Sequence, residues 1–114
     1  MKQRKPETDL RDRIRDALLA TGTWCTVNAQ KGKYKSGLGP GSSDLIAIVH
    51  GRLVGIEVKM PGEKARANQL AWGDEIREHG AVYAVVTSVG EAIGLVRTVR
   101  EWTQRPTKIE RWVD

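Results

Sequence analysis

One stretch, Gly41 to Lys59, constrains this chain more than any other. Leu45 to Val49 and Leu53 to Val58 are rich in Ile, Val and Leu and are parted by His50-Gly51-Arg52, the pattern of two antiparallel strands joined by a tight glycine-containing turn. The hairpin carries charge at both ends of the turn's reach: Asp44 at its entry, Glu57 and Lys59 at its exit.

Register decides what these strands present. With Gly51-Arg52 as a two-residue loop, glycine supplying the positive φ, His50 lies opposite Leu53 and Asp44 opposite Lys59. Residues opposite one another share a face, as do residues two apart on one strand, so Asp44, Glu57 and Lys59 are expected on the same side. A slip of one residue would send Glu57 and Lys59 to the other side.

Two carboxylates at close range repel, and each raises the pKa of the other unless a cation lies between them. A divalent metal resolves the conflict: Mg²⁺ or Mn²⁺ takes a few carboxylate oxygens together with water and a substrate phosphate, with the lysine placed to position water or neutralise developing charge. The alternative is an exposed hairpin on which Glu57 and Lys59 are unrelated solvated charges. Asp44 at matching spacing argues against it.

Asp44 followed by Glu57-Val58-Lys59 after a hydrophobic hairpin resembles the PD-(D/E)xK nuclease signature. The chain is most similar to the small stand-alone VRR-NUC nucleases of phages and bacteria, on Gly41 to Ile46, Ile56 to Lys59, Gln69 and Gly80 to Val86, a likeness spanning residues 7–98. It implies a restriction-endonuclease-like α/β core with a mixed central β-sheet flanked by helices. It also implies Mg²⁺- or Mn²⁺-dependent hydrolysis of DNA phosphodiester bonds, with Asp44, Glu57 and the Val58 backbone carbonyl as metal ligands. Lys59 and Gln69 would serve in catalysis, joined at the metal by a carboxylate of the first helix, for which Asp9 matches best and Glu7 and Asp12 compete. Small nucleases of this kind tend to be homodimers acting on branched DNA such as Holliday junctions. One departure is Ser43, where the family usually has proline before the aspartate.

The bulk properties agree with an anionic partner. At 114 residues and 39% hydrophobic the chain is read as one domain, with a tail from residue 99 onward. Its net charge of +5 and pI near 9.7 favour nucleic acid. No run approaches the length of a membrane span, and Met1 to Thr8 lacks a signal peptide's apolar core. The expected compartment is therefore the cytoplasm of a bacterium or a phage-infected cell, in keeping with the lone Cys25.

Residues 6–20 place Leu10, Ile14, Ala17 and Leu18 at helical spacing, with Thr8 or Asp9 as cap and Gly22 as stop. Thr23 to Ala29 reads as a first strand. The loop that follows interleaves Lys31, Lys33 and Lys35 with glycines and leads into Asp44, where the lysines would hold flanking phosphates; a solvated loop is the alternative. Glu63 to His79 reads as a helix on which Gln69, Trp72 and Ile76 share a face. Gln69 then points inward, toward metal-bound water or phosphate or else to a backbone partner, and Arg66 one turn earlier reaches the same substrate. Ala81 to Ser88 reads as a central buried strand, Glu91 to Val99 as a short helix, and Lys108 to Val113 as an edge strand or an arm that packs on a second subunit.

The order helix, three strands, helix, strand, helix predicts an α/β domain in which antiparallel neighbours precede a right-handed crossover. The function so predicted is a structure-specific, metal-dependent endonuclease. The competing reading is a basic nucleic-acid-binding module without catalysis.

Overall fold

A computed structural model describes residues 5–29 and 37–112. The element order is α1 (Pro6–Ala20), β1 (Trp24–Val27), β2 (Leu45–Val49), β3 (Arg52–Val58), α2 (Ala67–Glu78), β4 (Val82–Val86) and α3 (Val89–Trp102). The four strands form one mixed sheet in the order β1-β2-β3-β4, antiparallel except for the parallel β3–β4 pair joined through α2. The predicted α/β class and mixed sheet are what is observed.

Alternation along the strands sorts the two faces. Leu45, Ala47 and Val49 on β2 and Val54, Ile56 and Val58 on β3 point to one side, where they meet Leu10, Ile14 and Leu18 of α1 and Ala92, Val96 and Val99 of α3. Burying a leucine or isoleucine of this set contributes about 1.5–3 kcal/mol relative to leaving it in water. Gly55, Glu57 and Lys59 point to the opposite side, against α2: a Cβ on Gly55 would lie 3.0 Å from the Trp72 ring. The Trp72 ring also meets Tyr83 edge to face at 6.0 Å between centroids.

The hairpin closes differently from the expectation. Val49 pairs with Arg52, so the loop is His50-Gly51, with φ of 50° and 83°. Two successive positive φ angles are what a twisted two-residue hairpin turn needs, and His50 is held there by Nδ1 at 3.0 Å from Thr103 Oγ1. The pairing is shifted by two residues from the predicted one. Side chains repeat every two residues, so the shift preserves the face: continuing the register one step beyond Leu45–Ile56 sets Asp44 across from Glu57, with Lys59 next along.

Other boundaries also move. The α1 helix begins at Pro6 after Lys5, without a Thr8 or Asp9 cap. The α2 helix begins at Ala67 instead of Glu63, because Met60 to Glu63 closes a turn in which the Glu63 N–H donates to the Met60 carbonyl. The α3 helix extends to Trp102, capped by Ser88 Oγ accepting from the Glu91 N–H. Residues 108–112 form no strand. The β4 strand lies at the sheet edge, not at its centre. Its apolar run reflects helices on both of its faces, a condition that an edge strand meets as readily as a central one.

Candidate metal centre

The C-terminal end of β3, the entry to β2 and the first turn of α1 converge on one point. Glu7, Asp44 and Glu57 each bring a carboxylate oxygen there, all within 4.8 Å of one another. Each arrives for a local reason. The ladder between β2 and β3 ends at Leu45–Ile56, and the next β3 amide on that side, Val58 N–H, donates to Asp44 Oδ2 at 2.8 Å. Asp44 therefore ends the sheet with its side chain and stays beside Glu57.

The loop into Asp44 is clamped from β1. The Asn28 N–H donates to the Asp44 carbonyl at 2.8 Å, and its Nδ2 lies 2.9 Å from both Ser42 Oγ and the Ser43 carbonyl. Ser43, fully buried, donates Oγ–H to the Leu45 carbonyl at 2.9 Å. Gly41, with φ of 80°, passes so close to the first turn of α2 that a Cβ would lie 2.3 Å from the Asn68 carbonyl oxygen. Only glycine fits that approach.

Glu57 is 1% exposed. Its Oε1 accepts from Gln69 Nε2 at 3.0 Å and lies 3.9 Å from Lys59 Nζ, while its Oε2 is buried without a partner among the described residues. Burial, then the neighbouring Asp44, pushes this carboxyl up to about 9, against the opposing pull of Lys59. Glu7 is also raised, first by burial, with Lys59 acting the other way. A buried acceptor with no donor, among carboxylates held high, is the environment that a divalent cation satisfies. Oxygen-only donors suit Mg²⁺ or Mn²⁺.

A solved structure titled "VRR_NUC domain" superposes on this chain with a TM-score of 0.62, covering 80% of this chain and 94% of its own, at 22% sequence identity. The fold is that of a VRR_NUC domain. No family model and no curated protein matches the sequence. Within this VRR_NUC fold, Asp44, Glu57, Lys59 and Gln69 come together as drawn from the sequence, Gln69 through a route the sequence left open: its Oε1 accepts from the Arg66 N–H at 2.8 Å, capping α2, while its Nε2 holds Glu57.

The helix-one carboxylate at the centre is Glu7, not Asp9, which is exposed outside the cluster; Asp12 lies 3.0 Å from Arg11 and 3.7 Å from Arg15. Helical spacing is the signal that finds Glu7, three residues before Leu10 and seven before Ile14, on the buried stripe. Asp9 is one residue from Leu10 and so about 100° around the helix. Arg66 is exposed at the start of α2. Lys31, Lys33 and Lys35 lie outside the described residues. Asn28, which clamps the loop, carried no sequence signal beyond a polar residue at a strand end. No helix among the described residues is long and apolar enough to cross a membrane.

Proposed function

We propose that this chain is a Mg²⁺- or Mn²⁺-dependent DNA endonuclease. The observation that supports it most is the convergence of Glu7, Asp44 and Glu57, whose Oε2 is buried and unpartnered among the described residues and whose Oε1 lies 3.9 Å from Lys59 Nζ. These carboxylates would hold the cation with the Val58 carbonyl, which in an extended residue faces the same side as the N–H that Asp44 takes. A bound divalent cation supplies charge stabilisation at the scissile phosphate and acidifies water.

The protein's own groups do the rest. Gln69 fixes the Glu57 carboxylate in one orientation by taking up Oε1, which leaves Oε2 as the oxygen free to take a cation. Lys59 sets an ammonium at the edge of the cluster, where it orients the attacking water and offsets negative charge as the phosphate is attacked. Arg66 and the loop lysines Lys31, Lys33 and Lys35 hold flanking phosphates. The chain works as a homodimer on branched DNA, a two-fold pair of centres suiting a two-fold junction; exposed Trp102, Ile109 and Trp112 in the tail supply apolar surface for a second copy.

A cleavage panel of duplex, flap, single-stranded and four-way DNA, run with Mn²⁺, with Mg²⁺ and with EDTA, tests the reading. Metal-dependent cuts concentrated on branched substrates are expected. Absence of cutting on every geometry, with DNA binding retained, would leave a binding module.

A further inference from the structure

Beyond the metal centre, the sheet face that bears Asp44 passes the buried Ile46 and opens to solvent at the far end of β1 and β2. Trp24 pairs with Ile48 and Thr26 with Ile46, so these four side chains share the side on which Asp44 ends the row. The α2 helix covers this face over β3 and β4, where Trp72 meets Gly55 and Gly73 meets Tyr83. Trp24 is consequently 54% exposed and Ile48 43%, side by side on an open sheet. From Ile48 back to Asp44 is four residues, about 13 Å along an extended strand.

Charge lies next to this apolar pair. A groove of about 330 Å³ opens at the same end of β2, lined by Ile48, His50, Arg100 and Arg105, and no carboxylate lines it. Arg100 donates to Thr23 Oγ1 at 2.7 Å, which sets its guanidinium beside the start of β1; Arg105 is exposed. An aromatic ring on an open sheet, cations beside it and a metal centre further along the same face form the arrangement that single-stranded nucleic acid uses: bases stack on the ring and phosphates follow the cations. A duplex offers no free base face to Trp24.

From this we infer that β1 and β2 carry an unpaired-strand site: a base stacks on Trp24 against Ile48, and its phosphate lies in the Arg100–Arg105 groove. The strand enters the metal centre about four nucleotides away at roughly 3.4 Å per stacked step. This rests on the nuclease reading for its direction, and it names the substrate as DNA with a single-stranded arm beside the cut. The exposed pair lies on the same side of the sheet as Asp44, with the buried Ile46 between them, and its flanking charge is of the sign that phosphate requires.

The test reads binding without chemistry. The full chain is titrated in EDTA, by fluorescence anisotropy, into labelled oligothymidylate and into a blunt duplex. Trp24→Ala is expected to weaken oligothymidylate binding about tenfold. Duplex binding and the melting temperature should hold, and Trp24→Phe should restore most of the loss. Arg105→Ala is expected to lower the salt slope for the single strand by about one. If Trp24→Ala binds both DNAs as the parent does, the site is overturned. It is equally overturned if that variant loses a dimer in light scattering with no change in single-strand affinity, since the face then meets a second copy. Neither result touches the metal centre, whose own failure would appear as cleavage by Asp44→Asn.

Discussion

Gln69 donates its Nε2 to Glu57 Oε1 over 3.0 Å while its own Oε1 takes the Arg66 N–H at 2.8 Å, so one amide both caps α2 and orients the most buried carboxylate of the centre. The two duties separate by mutation. Gln69→Glu keeps the acceptor for the cap but turns an oxygen toward Glu57; Gln69→Ala removes both. Gln69→Ala should cost about 1–3 kcal/mol of stability, the range for leaving a buried polar group unpaired. Gln69→Glu should lose stability at neutral pH, where it buries a new carboxylate, and recover it on acidification, where that carboxylate takes up a proton. Melting curves at pH 5 and pH 8 check this. Equal stability of Gln69→Glu at both would mean that Glu57 is not oriented by this contact.

Glu57 itself predicts a pH dependence in the metal-free protein. Its folded pKa lies near 9, above the ordinary 4.5, so the folded state holds a proton that the unfolded state releases. The stabilisation is fully present below the ordinary value and is lost as pH rises toward the folded one. In EDTA the wild-type chain should therefore lose stability across that window, and Glu57→Gln should lack that part of the slope. Mn²⁺ should bind more tightly as pH rises, because the proton must leave first. Denaturant titrations at several pH values, with and without Mn²⁺, measure both.

Asp44→Asn and Glu57→Gln should each abolish cleavage while leaving the melting temperature in EDTA unchanged or higher, since the first removes a charge that opposes ionisation of the buried Glu57 and the second replaces that carboxyl by a group that needs no proton to stay neutral. The asparagine keeps an oxygen for the Val58 amide that Asp44 accepts at 2.8 Å. Stabilisation by Mn²⁺ should shrink in both. Wild-type cleavage by either variant would remove the centre proposed for these residues.

The carboxylate pair was legible because side-chain alternation forgives an even error: the turn was misplaced by one residue and the pairing therefore by two, yet Asp44, Glu57 and Lys59 stayed on one side. Glu7 was harder. The stripe Leu10, Ile14, Leu18 was plain, but the acidic residues before it compete, and helical phase had to be extended back into the first turn, next to Pro6, to tell Glu7 from Asp9. The edge position of β4 was hidden because Val82 to Val86 is apolar on both faces, and burial of faces says nothing about which edge pairs. Composition misled at Glu63 to Arg66, whose residues favour helix but whose chain is still turning from Pro61 and Gly62. Asn28 was invisible, since its role depends on Ser42 and Ser43 arriving from fourteen and fifteen residues away.

That clamp gives a further prediction. Asn28→Ala removes the donors to Ser42 Oγ and the Ser43 carbonyl and frees the loop that carries Asp44. Stability should fall by about 1–3 kcal/mol. Mn²⁺ affinity should fall as well, because a loosened Asp44 must be ordered on binding. Isothermal titration with Mn²⁺ decides it: an unchanged affinity alongside lower stability would make the clamp structural only.

Lys59 separates binding from turnover. Its Nζ sits 3.9 Å from Glu57 Oε1 on a side chain that is nearly buried, so it is already held where charge would develop and has little rotamer freedom to lose. It supplies no ligand oxygen, and Glu7, Asp44 and Glu57 remain together without it. Lys59→Ala should therefore still be stabilised by Mn²⁺, though less at neutral pH, since a cation that favours the ionised Glu57 has gone. Cleavage under single-turnover conditions should fall by about 10²-fold or more, the scale seen when one preorganised charge-stabilising group is removed. Lys59→Arg should recover the charge without the point geometry and restore little. A Lys59→Ala variant that cleaves at the parental rate would assign the lysine to neutralising Glu57 alone, and its place in the reaction would pass to water and the metal.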